Sequence, residues 1–564
     1  MRATSAPSSA NALTGDTTAA PFADVYVTIT KQEHIALKLA AQHWQTLHRK
    51  AVGRAQWREL RYQRIVRELK AQSLKSQADL AAQLELAQAQ VRDLQRRLFS
   101  SKSEQGKHCE TRTKAASCHT PRGQRRGSVG HGRTLQTQLP ARHEEVTLAK
   151  PQCPSCGLAF HSFAGTEDAQ VLEVEVKAYR RVIHRHRYRP SCQCGSVSGI
   201  ITAPAPTRLI NRGKFGISIW TSVLLDKFLY GRPSQRLRQD FADHGLNMSA
   251  GTLAGGLQEL APMFKPLNEA LQSRLRSEPH WHADETRWAV FVDVQGKVGH
   301  RWYLWVFHSS SVVHYVIDQT RAAEVIITEL AGVEQGIISC DRYSGYKRFA
   351  RLNPGVVLAY CWAHQRRDFL ELVNSYPHHA PWAFEWVDKI GQLYHLNAVR
   401  LALPLDSTQR AVAQSALQEA VQQMAAACAA GVNDAELFPP AAKVLESMAL
   451  HWNGLTVFVG SPWVPMDNNT AERDIRLPVV GRKNFYGSGS LGSAELAAMM
   501  YSTLATMKLW GLNARTWLGA YLQACTDNGN QPPLDINVFL PWQMDAKRLA
   551  HMRSCHFSAE ALHS

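Results

Sequence analysis

The residues best suited to chemistry are three acids far apart along the chain. Asp284 lies in His282-Ala283-Asp284-Glu285-Thr286. Asp341 follows the apolar run Ile337-Ile338-Ser339-Cys340. Glu472 lies in Asp467-Asn468-Asn469-Thr470-Ala471-Glu472-Arg473. Carboxylates are hard oxygen ligands, and three that converge can hold two Mg²⁺ (or Mn²⁺) ions roughly 3.5–4 Å apart. One ion then activates an attacking oxygen while the other steadies a leaving oxygen. Each acid also has a plainer reading. Strand alternation sends only one of Asp284 and Glu285 inward. Asp341 can cap a following helix, and Glu472 can pair with Arg476 one turn on.

Cysteines offer a second chemistry. Cys153-Pro-Ser-Cys156-Gly157 and Cys192-Gln-Cys194-Gly195 are two knuckles, each presenting a thiolate pair. Four such sulfurs satisfy tetrahedral structural Zn²⁺. A glycine after the second cysteine lets amide groups turn toward the sulfur. The second knuckle is tighter than usual, and His184 or His186 can replace one cysteine. The chain has 11 cysteines, an odd number, and no export signal. Metal ligands therefore explain the cysteines better than a disulfide framework. Between the knuckles, residues 177–189 carry six Lys or Arg, two Tyr and no acid. As a strand, this run presents Arg181, Arg185 and Arg187 to a phosphate backbone, or forms an exposed basic edge.

These groups need elements to position them. Strand-like runs at His280 to Val294, His300 to His308 and Val312 to Asp318 are followed by a helix at Arg321 to Leu330. A buried strand at Gly336 to Cys340, a helix near Tyr346 and a strand at Val356 to Tyr360 complete a βββαβαβ order. This puts Asp284 on the first strand, Asp341 at the end of a strand beside it, and Glu472 early in a late helix. Those are the places where a ribonuclease-H-like fold gathers carboxylates.

The remaining chain reads as a series of modules. Residues 1–34 form a polar tail with neither a signal peptide nor an anchor. Residues 35–100 form a long helix. It carries a heptad seam of Leu84, Val91 and Leu98 with Leu80, Ala87 and Leu94, which fades at Gln63, Lys70 and Gln77. A short dimeric coiled coil and a helix packed on its own protein both fit that seam. Residues 101–150 hold ten Lys or Arg against four Glu, with scattered glycine. They predict a flexible basic arm whose Arg122, Arg125 and Arg126 lie along DNA phosphates. The zinc-binding module takes 151–205. A helical region at 213–277 contains a helix-turn-helix-like pair, Gln235 to Asp243 and Ser249 to Leu260, turning at Gly245. Two packed helices without DNA contact fit that pair equally well. The catalytic region spans 278–520 with an all-helical insertion at about 375–455, and 521–564 is a C-terminal segment. The fold class is multidomain α+β.

Composition narrows the partners. With 64 Lys and Arg against 47 Asp and Glu in 564 residues, the net charge is +17. That favours a polyanion such as nucleic acid. No apolar run approaches the ~20 residues of a membrane span, so no membrane partner is expected.

The sequence resembles the transposases of the insertion-sequence sixty-six family. The resemblance rests on LFSSKSE at 98–104, the Gly/Arg arm and the cysteine module. It rests further on HADET at 282–286, DRYSGY at 341–346, CWAHQRRDF at 361–369 and NNTAERDIRLPVVGRKNFYGSG at 468–489. It implies a D-D-E triad of Asp284, Asp341 and Glu472, which agrees with the residue-level reading. It implies binding to double-stranded DNA at terminal inverted repeats, cleavage by water at the 3′ ends, and attack of the 3′-OH ends on target DNA. Asn468 and Asn469 are expected to cap the Glu472 helix. Arg473, Arg476, Arg482 and Lys483 are expected to face phosphates near the scissile bond. His364, in a Cys-x₂-His element, is either a contact to DNA or the metal site, or a core histidine. The resemblance leaves room for small accessory proteins of the same element as partners, and the protein should act as a dimer or higher multimer, in the cytoplasm at the nucleoid. Two other functions fit the residues: a catalytically inactive zinc-containing DNA-binding repressor, and a ribonuclease-H-like nuclease without strand joining.

Overall fold

The computed structural model describes residues 27–99, 149, 151–161, 172, 176–189 and 200–554. The chain divides into two compact units, residues 1–102 and 103–564. The first contains helix α1 (Lys31–Phe99), 69 residues long, or roughly 100 Å at 1.5 Å per residue. Its start is a reciprocal cap. The Thr30 amide donates to Glu33 Oε2 (2.8 Å), and the Glu33 amide donates to Thr30 Oγ1 (3.3 Å). Trp44, Trp57, Leu80, Leu84 and Val91 are all exposed along it.

In the second unit, residues 151–161 include a tight turn. The Cys153 amide donates to the Leu158 carbonyl (2.8 Å) and the Gly157 amide donates back to Cys153 (2.9 Å). Strands β1 (Arg187–Tyr188) and β2 (Ile201–Thr202) pair antiparallel. The strand expected over the basic run is thus only two residues long. Every described side chain of that run is exposed, so it has no apolar face to hold a longer strand against a core. Cys192 and Cys194 lie outside the described residues, as do Arg122, Arg125 and Arg126.

Helices α2 (Ile217–Phe228), α3 (Ser234–Asp243), α4 (Ala250–Leu260) and α5 (Lys265–Arg276) follow. The α3–α4 turn is as the sequence predicts. Gly245 sits at φ +78°, and the Ser249 hydroxyl caps α4 through the Thr252 amide at 3.0 Å.

Strands β3 (His280–Ala289), β4 (Arg301–His308), β5 (Val313–Asp318), β6 (Gln335–Cys340) and β7 (Gly355–Tyr360) form one mixed sheet. Helices α6 (Ala323–Glu329) and α7 (Ser344–Leu352) lie between the later strands in sequence. The spatial order is β5-β4-β3-β6-β7. The β3–β4 and β4–β5 pairs are antiparallel, while β3–β6 and β6–β7 are parallel. Alternation along the strands feeds two cores. Trp281, Ala283, Trp305 and Phe307 pack with α5, α6 and α7. Trp288, Leu304, Val306 and Tyr315 join the larger core on the other face.

Helices α8 (Trp362–Ser375), α9 (Ala380–Ala402), α10 (Thr408–Val432), α11 (Pro439–Leu450), α12 (Trp452–Leu455) and α13 (Val457–Gly460) run on from β7. They pack around a core of their own, including Trp386, Leu393, Leu417 and Met448. The chain returns beside its point of departure, where the Trp362 amide donates to the Met466 carbonyl at 2.9 Å.

Helices α14 (Asn469–Phe485), α15 (Leu491–Leu509), α16 (Ala514–Asp527) and α17 (Ala546–Arg553) close the fold. Helix α15 covers the edge strand β5. Ser502 Oγ accepts from the Tyr315 amide (2.8 Å), and Thr506 Oγ1 accepts from the Val313 amide (3.1 Å). Hydroxyls one turn apart thus meet an edge that would otherwise offer bare amides. Phe539, Leu540 and Met552 enter the same large core as α2–α5, so residues on both sides of position 520 share one interior. The architecture is mixed α+β with a helical N-terminal region. No described helix is long and apolar enough to cross a membrane.

Candidate active site

Strand register brings the first two acids together. His280, Trp281 and His282 pair with Ile337, Ile338 and Ser339. Two residues further along the same register, Asp284 stands level with Asp341, just past the end of β6. Neighbouring strands lie about 4.8 Å apart. Asp341 is held from behind by the Tyr343 amide, which donates to its Oδ1 at 2.9 Å. The next residue, Arg342, fixes the loop by donating to Gln365 (3.1 Å) and Ser447 (2.9 Å) and by pairing with Asp368.

Glu285, the alternate residue on β3, points away from Asp284. Its carboxylate is gripped by Arg321 and by the Tyr346 hydroxyl (2.8 Å), with its side chain only 2% exposed. Alternation therefore separates the two acids as the sequence requires, and Glu285 becomes a buried strut.

Glu472 sits in the first turn of α14, and that helix is fastened to β3 at both ends. At the N-terminal end, buried Asn468 Nδ2 donates to the Ala283 carbonyl (2.7 Å). Its Oδ1 therefore faces His282 Nδ1 at 3.0 Å, and the imidazole donates from Nδ1. The Asn468 amide donates to Cys361 Sγ at 3.2 Å. The expected cap is thus not the observed one. Asn468 occupies the N-cap position, but its side chain makes no capping bond; it crosses to the strand instead. Asn469 is the first helical residue, its amide held by Asp467 Oδ1 at 3.1 Å. At the C-terminal end, Tyr486 turns left-handed at φ +66°, and the Ser488 amide donates to the Ala289 carbonyl at 2.8 Å. A Cβ on Gly487 would lie 2.2 Å from that carbonyl oxygen, so only glycine lets the chain approach.

The middle of α14 is fastened too. Pro478 interrupts the helix, and proline leaves the carbonyl four residues back without its helical donor. That carbonyl belongs to Asp474, and the buried Tyr315 hydroxyl on β5 donates to it at 3.0 Å. The Asp474 carboxylate meets His308 of β4 at 2.7 Å.

Asp284 feels the other two acids. Burial first, then the neighbouring charge of Glu285, pushes the Asp284 carboxyl well above the usual range, and the charges of Asp341 and Glu472 push it further. Glu285 is also raised, by burial and by Asp341, despite its Arg321 partner. Such crowding of carboxylates is relieved by a cation, and an all-oxygen donor set suits a hard divalent ion.

Beside Glu472 lies a softer group. His364 Nε2 is 3.6 Å from Glu472 Oε1. Ligand atoms of Cys361, His364 and Glu472 all fall within 4.8 Å of one another. His364 is half-buried.

At 100° per residue, Arg476 and Lys483 share the face of Glu472 on α14. Arg473 and Arg476 are exposed, as is Lys483. Arg482 falls on another flank and is half-buried, which lowers its pKa. Arg181, Arg185 and Arg187 are exposed, far from any described core. Sequence reasoning missed Asn468 as a cross-strut, the Glu285 clamp and the Pro478–Tyr315 pair. Only the proline within a helical stretch signalled in advance that something must compensate it.

Comparisons with known proteins identify a family. A family model described as "Transposase IS66 family" matches residues 212–496. Three proteins of Sinorhizobium fredii are similar over most of their length, and each is named only as uncharacterized. Protein y4jD is 27% identical over 74% of this chain and 82% of its own. Protein y4hP is 24% identical over 86% of this chain and 88% of its own. Protein y4qI is 26% identical over 71% and 75%. No solved structure matches. The matched span contains β3 to β7, the helical insertion, α14 and all three acids, and on that match the chain belongs to the transposase IS66 family.

Proposed function

We propose that this protein is a D-D-E DNA transposase. In this reading it binds the inverted repeats at the ends of its element, cuts their 3′ ends with water and joins them to target DNA. Asp284, Asp341 and Glu472 are the acids that act. One observation carries the proposal: the β3–β6 register sets Asp284 level with Asp341, and the Asp284 carboxyl, raised first by burial and by Glu285, also feels the charges of Asp341 and of Glu472, 188 positions away in sequence. The sheet order and the mixed strand directions support a ribonuclease-H-like core, in which a central strand, its parallel neighbour and a late helix bear the acids.

Asp284, Asp341 and Glu472 would hold Mg²⁺ or Mn²⁺, which would supply Lewis-acid activation of water or a 3′-OH and charge stabilisation of the leaving oxygen. The chain's own residues do the rest. Tyr343 and Arg342 fix the Asp341 loop. Asn468 sets the height of Glu472 over β3. Arg476 and Lys483, on the Glu472 face of α14, attract the phosphates flanking the cut, with Arg473 beside them.

Structural Zn²⁺ is proposed for the cysteine module. The Cys153 thiol is lowered by the Cys156 and Ser155 amides turned toward it and by the Cys156 thiol, as a ligand thiolate requires. Dimerisation through α1 is proposed from the exposed Leu80, Leu84 and Val91 seam. The repressor reading is disfavoured because all three acids are present in the chain.

The test is a nicking assay on inverted-repeat DNA with Mg²⁺. Asp284→Asn, Asp341→Asn and Glu472→Gln should each lower nicking by about 10³-fold or more, while gel-shift affinity changes little. Nicking at wild-type rate by any one variant removes that residue from the triad.

A further inference from the structure

Next to the hard-oxygen centre, and sharing Glu472 with it, is a group of three side chains, two of which the cleavage chemistry does not need. Cys361 is the last residue before α8 and is 4% exposed. His364 lies in the first turn of α8, so Cys-x₂-His puts both side chains at one helix end. Glu472 reaches the same place from the first turn of α14. Ligating atoms of all three lie within 4.8 Å, and His364 Nε2 to Glu472 Oε1 is 3.6 Å. Zinc bonds of about 2.3 Å to sulfur and 2.0–2.2 Å to nitrogen or oxygen give ligand-to-ligand edges of roughly 3.3–3.6 Å in a tetrahedron. One edge is already near that length, and the others are no longer than 4.8 Å.

The Asn468 amide donates to Sγ at 3.2 Å, and the His364 and Ala363 amides also turn toward it, while burial pushes the thiol up to about 11; the sulfur therefore gives its proton to solvent only when a metal binds. A thiolate, an imidazole and a carboxylate, with a fourth position open, form a donor set for Zn²⁺ rather than Mg²⁺.

We infer that Cys361, His364 and Glu472 form a soft-metal site that binds Zn²⁺ and, by engaging Glu472, competes with the Mg²⁺-dependent reaction. The competition rests on the proposed role of Glu472; the binding does not. The two sites share one side chain, so occupancy of one weakens the other by the same factor.

The experiment uses the full chain, stripped with chelator and titrated with Co²⁺ as a spectroscopic stand-in for zinc. The wild type should develop sulfur-to-cobalt charge-transfer absorption. Cys361→Ser should lose its share of that band and one bound equivalent, whereas a Cys153→Ser/Cys156→Ser double variant should keep that share. His364→Gln, which spares the buried thiol, should weaken cobalt binding at this site by at least tenfold. Cobalt stoichiometry and absorption that are the same in wild type, Cys361→Ser and His364→Gln would overturn the inference. In the nicking assay at fixed Mg²⁺, added Zn²⁺ should inhibit wild type at a concentration at least tenfold lower than it inhibits Cys361→Ser. Equal inhibition of both would overturn the competition. A cobalt band with no Mg²⁺-dependent nicking at all would refute the proposed function and leave the metal site standing.

Discussion

Asn468 is where sequence, packing and function meet, so its replacement gives the sharpest test. The side chain is 1% exposed and makes two bonds, to the Ala283 carbonyl at 2.7 Å and to His282 Nδ1 at 3.0 Å. Asn468→Ala leaves a buried acceptor and a buried donor unmet, each costing about 1–3 kcal/mol. Allowing for partial relaxation, we expect a loss of about 2–4 kcal/mol in urea unfolding followed by tryptophan fluorescence. Asn468→Asp is the stricter probe. It is nearly isosteric but sets a carboxylate oxygen against the Ala283 carbonyl, so it should be at least as destabilising. Function should fall further than stability explains, because the same strut sets Glu472 relative to Asp284. At a urea concentration where each protein is fully folded, nicking by Asn468→Ala should fall at least tenfold with little change in DNA affinity. Unfolding within 0.5 kcal/mol of wild type together with unchanged nicking would refute the view that this side chain positions the third acid.

Two further outcomes follow from neighbouring contacts. Tyr315→Phe removes the donor to the Asp474 carbonyl that Pro478 leaves open. It should cost about 1–3 kcal/mol by the same unfolding measurement, and no loss would mean that another donor serves that carbonyl. His282 is held down to about 4, chiefly by burial, with His308 adding to the effect against the opposing Asn468 bond. The unfolded chain therefore binds its proton first. Stability should be constant above about pH 6.5 and fall between pH 6.5 and 4, by on the order of 3 kcal/mol from this residue. His282→Gln should make that acid limb shallower, leaving the share of His280, which burial holds down to about 3, and a limb of unchanged steepness would assign it to other groups.

The order of β3 to β7 was legible because each strand is a short apolar run bounded by turns, and the register then follows from burial. The places of the three acids in these elements were legible for the same reason: one falls mid-strand, one just after a strand and one early in a helix. The cap at Asn468 was misread because local sequence favours the nearest partner. An asparagine before a helix usually caps it, and only the fold brings Ala283 within reach. The basic run at 177–189 has strand-forming residues but no apolar partner, so propensity exceeded what packing could sustain. Glu285 was set aside because nothing local announces Arg321 and Tyr346, 36 and 61 residues on.

The helices between β7 and α14 are moored at two places beside the acids. Cys361 and Trp362 meet Asn468 and Met466 next to the Glu472 turn, while Gln365, Asp368 and Ser447 hold Arg342 next to Asp341. Whatever grips those helices therefore pulls on two levers at once, one behind Glu472 and one behind Asp341.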